Sequence, residues 1–101
     1  MLTRKLYNEV ELLSRHIRVL KAVINNQPIG ITRLSKILRI DFHEVRNSLS
    51  SLENCGLIVA TPQGAMINGD IGDKLLKIAD NLKEIEDSVE ILRKEVLEIV
   101  V

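Results

Sequence analysis

The sequence predicts a mainly α-helical chain with one small β-hairpin and a long C-terminal helix. Three observations predict it. Apolar residues recur at alternating spacings of four and three over residues 6–24, and again without a break over residues 71–99. A capping signal at Asp41 and a glycine stop at Gly56 bracket a short helix. Residues 57–67 hold two short β-prone runs around Pro62-Gln63-Gly64, which is turn chemistry.

The first helix is expected over residues 3–25. Leu6, Val10, Leu13, Ile17, Leu20 and Ile24 keep to one face, and Leu12, Val19 and Val23 widen it, so burial on two sides is expected. Asn25-Asn26-Gln27-Pro28 is a breaker cluster that ends the helix. Ile29-Gly30-Ile31 is short and β-branched and fits one small strand. Thr32 then fits the N-cap of a second helix over about 33–39, with Leu34, Ile37 and Leu38 as its buried side.

Asp41-Phe42-His43-Glu44 matches a capping box, in which Asp41 accepts from the amide of Glu44 and Glu44 reaches back. The third helix is expected over about 42–55, with Val45, Leu49 and Leu52 facing the core. Gly56 suits the left-handed position after a helix, and Leu57 would meet Leu52 as in a Schellman motif. Leu57–Thr61 and Ala65–Ile67 form the two predicted strands, and Asp70 is placed to cap the last helix.

In that last helix Leu75, Leu82, Val89 and Val96 occupy heptad position a, and Ile71, Ile78, Ile85, Leu92 and Ile99 occupy position d. Thirty helical residues span roughly 45 Å, more than a domain of this size covers. Leu76 and Ala79 suit packing of the first two turns on the body of the chain. The remainder calls for a partner helix, by default from a second copy. The organisation expected is a globular domain over residues 1–69 and a coiled-coil dimerisation helix over residues 70–101. Its contacts would come from Leu75, Ile78, Leu82, Ile85, Val89, Leu92, Val96 and Ile99. A parallel pair makes no flanking ion pair, whereas an antiparallel pair sets Lys74 near Glu95 of the partner. That favours antiparallel chains and gives the apolar end, Ile99-Val100-Val101, the partner's body to rest on.

Composition narrows the function. The chain is 46% hydrophobic and 28% charged, with only Tyr7 and Phe42 aromatic, so the core is aliphatic. No apolar run is long enough to span a membrane, and the first residues lack the pattern of a signal peptide. The single cysteine, Cys55, leaves no intrachain disulfide and is expected to be a small buried side chain. These features fit the cytoplasm. No nucleophile–base set, metal cluster or glycine-rich phosphate loop stands out, so neither an enzyme nor a cofactor, metal or small-molecule ligand is expected. His16, beside the first apolar stripe, has no metal-ligand neighbours in the sequence. Net charge is zero, but residues 1–46 carry nine Lys/Arg against four Asp/Glu, while residues 71–101 carry five against eight. A polyanion would meet the first part only.

The element order is helix, small strand, helix, tight turn, helix, hairpin, long helix. Two helices joined by about three residues form a helix-turn-helix, and a hairpin directly after them forms a wing. Leu34-Ser35 with Leu38, followed by Val45-Arg46, Leu49, Leu52-Glu53 and Gly56-Leu57-Ile58, resembles the winged-helix core of archaeal transcriptional regulators. The resemblance covers about residues 28–68. It implies that the third helix enters the major groove of double-stranded DNA and that the hairpin flanks it. The long C-terminal helix resembles the dimerisation helix of small archaeal winged-helix proteins.

On that reading His43, Arg46, Asn47 and Ser50, with Ser51 beside them, are the base-reading candidates. Arg46 suits guanine and Asn47 suits adenine. Thr32, Arg33, Ser35, Lys36 and Arg39 are the phosphate candidates. One feature points the other way. Leu57 to Asp70 contains no Lys or Arg, so the wing is left with Gln63 and backbone amides for any contact with DNA. Two competing functions therefore stand beside transcriptional regulation: a winged helix used for protein–protein assembly, and a weakly specific architectural chromatin protein.

Overall fold

A computed structural model describes residues 1–100. Among them it holds four helices and one antiparallel two-stranded sheet: α1 (Arg4–Asn26), α2 (Ile31–Leu38), α3 (Phe42–Asn54), β1 (Ile58–Thr61), β2 (Gly64–Ile67) and α4 (Gly72–Val100). The chain divides into two compact units, one from Met1 to Gly69 and one from Asp70 onward. Among the described residues no helix is long and apolar enough to cross a membrane.

The core of the first unit is aliphatic. Val19 and Val23 of α1, Ile29, Leu34 of α2 and Val45 of α3 are fully enclosed. Tyr7 is exposed and Phe42 is half-buried. The expectation that α1 is buried on two sides holds only near its C-terminal end. Residues 1–12 are exposed, and the buried side chains are Val19, Leu20, Ala22 and Val23. Counted at about 100° per residue, this buried group centres roughly 120° around the helix from the stripe of Leu6, Val10, Leu13, Ile17, Leu20 and Ile24. Of that stripe Leu20 is buried, Leu13 and Ile17 are half-buried, and Leu6, Val10 and Ile24 are exposed.

After α1 the chain turns extended at Gln27, and the Gln27–Pro28 peptide is cis. Ile29 forms a single bridge with Ala65, donating to its carbonyl at 3.2 Å and accepting from its amide at 2.8 Å. The small strand expected at 29–31 is reduced to this one residue, because Ile31 already belongs to α2. Gly30, not Thr32, is the N-cap; Thr32 lies in the first turn of α2. Leu34 is fully buried and Leu38 half-buried, but Ile37, expected inside, is 47% exposed. The helix stops at Arg39, which takes the left-handed conformation at φ 55°. Ile40 is buried in the turn, as its apolar character requires.

Both ends of α3 are chemically defined. At the start, the Asp41 carboxylate accepts from the amide of His43 at 2.8 Å rather than from Glu44, so the reciprocal capping box does not form. Glu44 faces Arg15 of α1 instead, at 3.9 Å. At the end, the Leu57 amide donates to the Leu52 carbonyl at 3.0 Å and the Gly56 amide to the Glu53 carbonyl at 2.9 Å. With Gly56 at φ 76°, this is the Schellman pattern. Cys55, expected inside, is exposed at this helix end.

In the hairpin Ile58 pairs with Ile67 and Thr61 with Gly64, leaving Pro62-Gln63 as a two-residue turn. Gly64 is required by close approach. A Cβ there would lie 2.5 Å from the carbonyl carbon of Ile29, and its φ of 130° disfavours any side chain. The Gln27 side-chain oxygen accepts from the Ile67 amide at 2.9 Å, a second tie between the hairpin and the segment before α2.

In the second unit Asp70 accepts from the Gly72 amide at 2.9 Å and opens α4. Leu75 and Ile78 are half-buried, and every residue from Ala79 to Val100 is exposed. Its ion pairs are local: Lys83 with Glu86 and Asp87, and Glu90 with Arg93 and Lys94. Val101, part of the expected apolar end, lies outside the described residues.

Candidate nucleic-acid interface

Helix α3 has two chemically distinct sides. Val45, Ser48 and Leu52 are buried and Leu49 lies at their margin. His43, Arg46, Asn47 and Ser50 are all exposed. At about 100° per residue they fall within an arc of roughly 100°, opposite the buried stripe. Ser51 is half-buried beside them. Asn54, one heptad beyond Asn47, extends the same exposed face. The heptad spacing was signal enough to include it.

Arg46 is oriented by a neighbour that the sequence reading passed over. Its guanidinium lies over the Phe42 ring at 4.9 Å from the centroid, a cation–π contact one helical turn apart. The Phe42 ring also meets His43 edge to face, with centroids 6.0 Å apart. An aromatic four residues before an arginine on a helix was the available clue. A guanidinium carries its N–H donors in a planar fork, which suits bidentate recognition.

Between α3 and the hairpin runs a shallow groove of about 220 Å³, whose lining includes Arg46, Ser50, Glu53, Ala60 and Thr61. Glu53 sets an acceptor beside the donors of Arg46 and Ser50. At the hairpin tip Thr61 closes the turn: its hydroxyl donates to the Gly64 carbonyl at 2.7 Å and accepts from the Gln63 amide at 3.2 Å. The Gln63 amide is therefore already engaged, and the tip presents the exposed Gln63 side chain.

The phosphate candidates lie on and just after α2. Thr32, Arg33, Lys36 and Arg39 are exposed. Ser35 is half-buried, and its hydroxyl donates to the Ile40 carbonyl, so it also fastens the turn into α3. The Arg18 guanidinium donates to the Leu38 carbonyl at 3.3 Å, placing a cation at the negative end of α2.

Behind α3 sits a polar contact absent from the sequence-based expectations. Ser48 is fully buried and meets two side chains of α1: Arg15 Nε donates to its hydroxyl oxygen at 2.9 Å, and His16 Nδ1 lies 2.8 Å from the same oxygen. Burial, and then the positive charge of Arg15, push His16 below its ordinary value of 6.5. In neutral His16, Nδ1 can accept the Ser48 proton, so all three groups are satisfied in that state. No sequence pattern marks this cluster, because its partners are 32 and 33 residues apart. Among the described residues no group of three His, Cys, Asp or Glu side chains could hold a metal ion.

No family model and no curated protein matches the chain.

Proposed function

We propose that the chain is a winged helix-turn-helix protein that binds double-stranded DNA as a homodimer, acting as a transcriptional regulator in the cytoplasm. In this reading α3 enters the major groove, the hairpin is the wing, and α4 pairs with its copy. One observation carries it. The exposed arc of α3 gathers Arg46, Asn47, Ser50 and His43 opposite the buried stripe, while neighbouring α2 exposes Arg33, Lys36 and, at its end, Arg39. Base-edge donors on one helix beside phosphate-seeking cations on the preceding one are the division of labour sequence reading on DNA requires. The likeness of residues 28–68 to archaeal winged-helix regulators supports the same reading.

Selection from a random duplex pool, followed by anisotropy titrations over a range of salt, tests it. The expected result is a preferred palindrome with affinity that falls steeply as salt rises. On that palindrome Arg46→Ala costs about 1–3 kcal/mol and relaxes the preference at one position. An equal small loss on every sequence would make Arg46 a phosphate contact. A steep salt slope without preference would mark an architectural chromatin protein. No binding at low salt would sink both DNA readings.

A second reading, a winged helix that assembles with other proteins, is favoured by one specific feature. The hairpin region from Leu57 to Asp70 has no Lys or Arg, and its tip amide is occupied by Thr61.

A further inference from the structure

Phe42 is one of only two aromatic residues in the chain, and it stands at the first residue of α3. It is half-buried, so part of it stays outside the aliphatic core. Among the described residues its ring meets two of the base-reading candidates. The Arg46 guanidinium lies over the ring, 4.9 Å from its centroid, and the His43 ring meets it edge to face at 87°.

Helical side chains lean toward the helix N-terminus. An arginine stacked four residues back therefore carries its guanidinium over the first turn. That is the end of a recognition helix that meets base edges. A free arginine spreads over many rotamers. Glu53, two turns further on in the groove that Arg46 lines, offers it a carboxylate at the other end of α3. His43 and Arg46 are three residues apart, about 4.5 Å along the helix, which places them over neighbouring base pairs.

We infer that Phe42 is a positioning residue: without touching a base, it holds Arg46 and His43 in their reading positions and so sets the preference at two neighbouring base pairs. This inference rests on the proposed DNA reading. Its size follows from population. An exposed cation–π contact of ordinary strength favours the stacked rotamer by roughly twofold to fivefold, and affinity scales with the population of the competent state. Over the two half-sites of a dimer this becomes roughly fivefold to 30-fold.

Phe42→Leu, which keeps an apolar side chain and removes the ring, is titrated against the palindrome selected by the wild type and against its single-base variants. The expected result is a fall in affinity of that size with preference relaxed at two neighbouring positions. Arg46→Ala is expected to relax one of them and His43→Ala the other. In an Arg46→Ala/His43→Ala background Phe42→Leu is expected to change affinity by less than about twofold. Phe42→Tyr is expected to restore both preferences. Side-chain proton NMR of the free protein gives a second readout, with Arg46 shifted upfield by the ring in the wild type and not in Phe42→Leu. A loss that persists undiminished in the double-alanine background, or that falls equally on every sequence, would make Phe42 a structural residue and overturn the inference. So would full preference retained in Phe42→Leu, or an Arg46 without the upfield shift. A wild type that selects no sequence removes the DNA reading and the inference together.

Discussion

Helices α3 and α4 are held by opposite means. α3 has 13 residues and α4 has 29. The shorter one has a side-chain cap at its start, a Schellman turn at its end, three buried side chains, and ties to α1 through Ser48 and Glu44. The longer one has no buried residue, and the ion pairs along it are exposed neighbours three or four positions apart. Exposed pairs of that kind contribute little. A helix in water draws most of its stability from packing of an apolar face. α3 has that packing within its own unit, whereas α4 is exposed from Ala79 to Val100. Under the proposed function, α3 is set before its target arrives and α4 completes its packing on assembly.

The largest test of this contrast is on α4. Leu82→Asp/Val89→Asp places charges at two successive a positions. Loss of two large apolar side chains from each half of a seam, with charge put in their place, is expected to raise the dimer dissociation constant by at least about 100-fold. Ultracentrifugation reads this, and a fall in far-UV helicity would accompany it. Unchanged dimerisation would mean that the α4 stripe is not the seam.

A smaller effect is expected at α3. Ser48→Ala removes the oxygen shared by Arg15 and His16. Stranding those partners costs about 1–2 kcal/mol, less than for wholly buried groups because both reach water. For a unit of this size that lowers Tm by roughly 4–16 °C. Dimer affinity measured well below Tm is expected to be unchanged, so coupled losses would show that the two helices are not independent.

The smallest effect is one of pH. His16 is held below 6.5, so the unfolded chain binds the proton more readily than the folded one. Stability is then full above about 6.5 and declines as pH falls through 6.5 toward the lower folded value. Thermal melts between pH 7.5 and 5 are expected to show this decline in the wild type and a shallower one in His16→Gln, with other acid-titrating groups common to both. Identical slopes would remove His16 from the account.

What could be read from the sequence follows the same division. Period revealed the length of α4, and Asp70, read as its cap, accepts from the Gly72 amide. Gly56 and the breaker cluster before Pro28 also carried through, since both act on backbone torsion locally. The losses occurred where tertiary contacts decide. α1 bears two apolar arcs, and period cannot say which one turns inward. Asp41 accepts from the amide of His43 rather than that of Glu44, while Glu44 pairs with Arg15 across the interface with α1. Ser48 is polar and fully buried, so a hydrophobic pattern assigns Leu49 the place it holds. Of the candidate site, the exposed arc of α3 was legible from spacing. The orientation of Arg46 by Phe42 and the commitment of the Ser35 hydroxyl to Ile40 were not.

Gly64 has a mechanical consequence. Its missing Cβ lets the hairpin backbone press against Ile29, and two bonds between Ile29 and Ala65 pin the contact on the next residue. Ile29 is followed at once by Gly30, the residue that starts α2. A push on the hairpin tip is therefore delivered to the first turn of α2 as well as through the covalent link to α3. The hairpin is thus anchored twice, to the start of the cationic helix α2 through Ile29 and to α3 through the chain, so one small sheet fixes the entry of both helices.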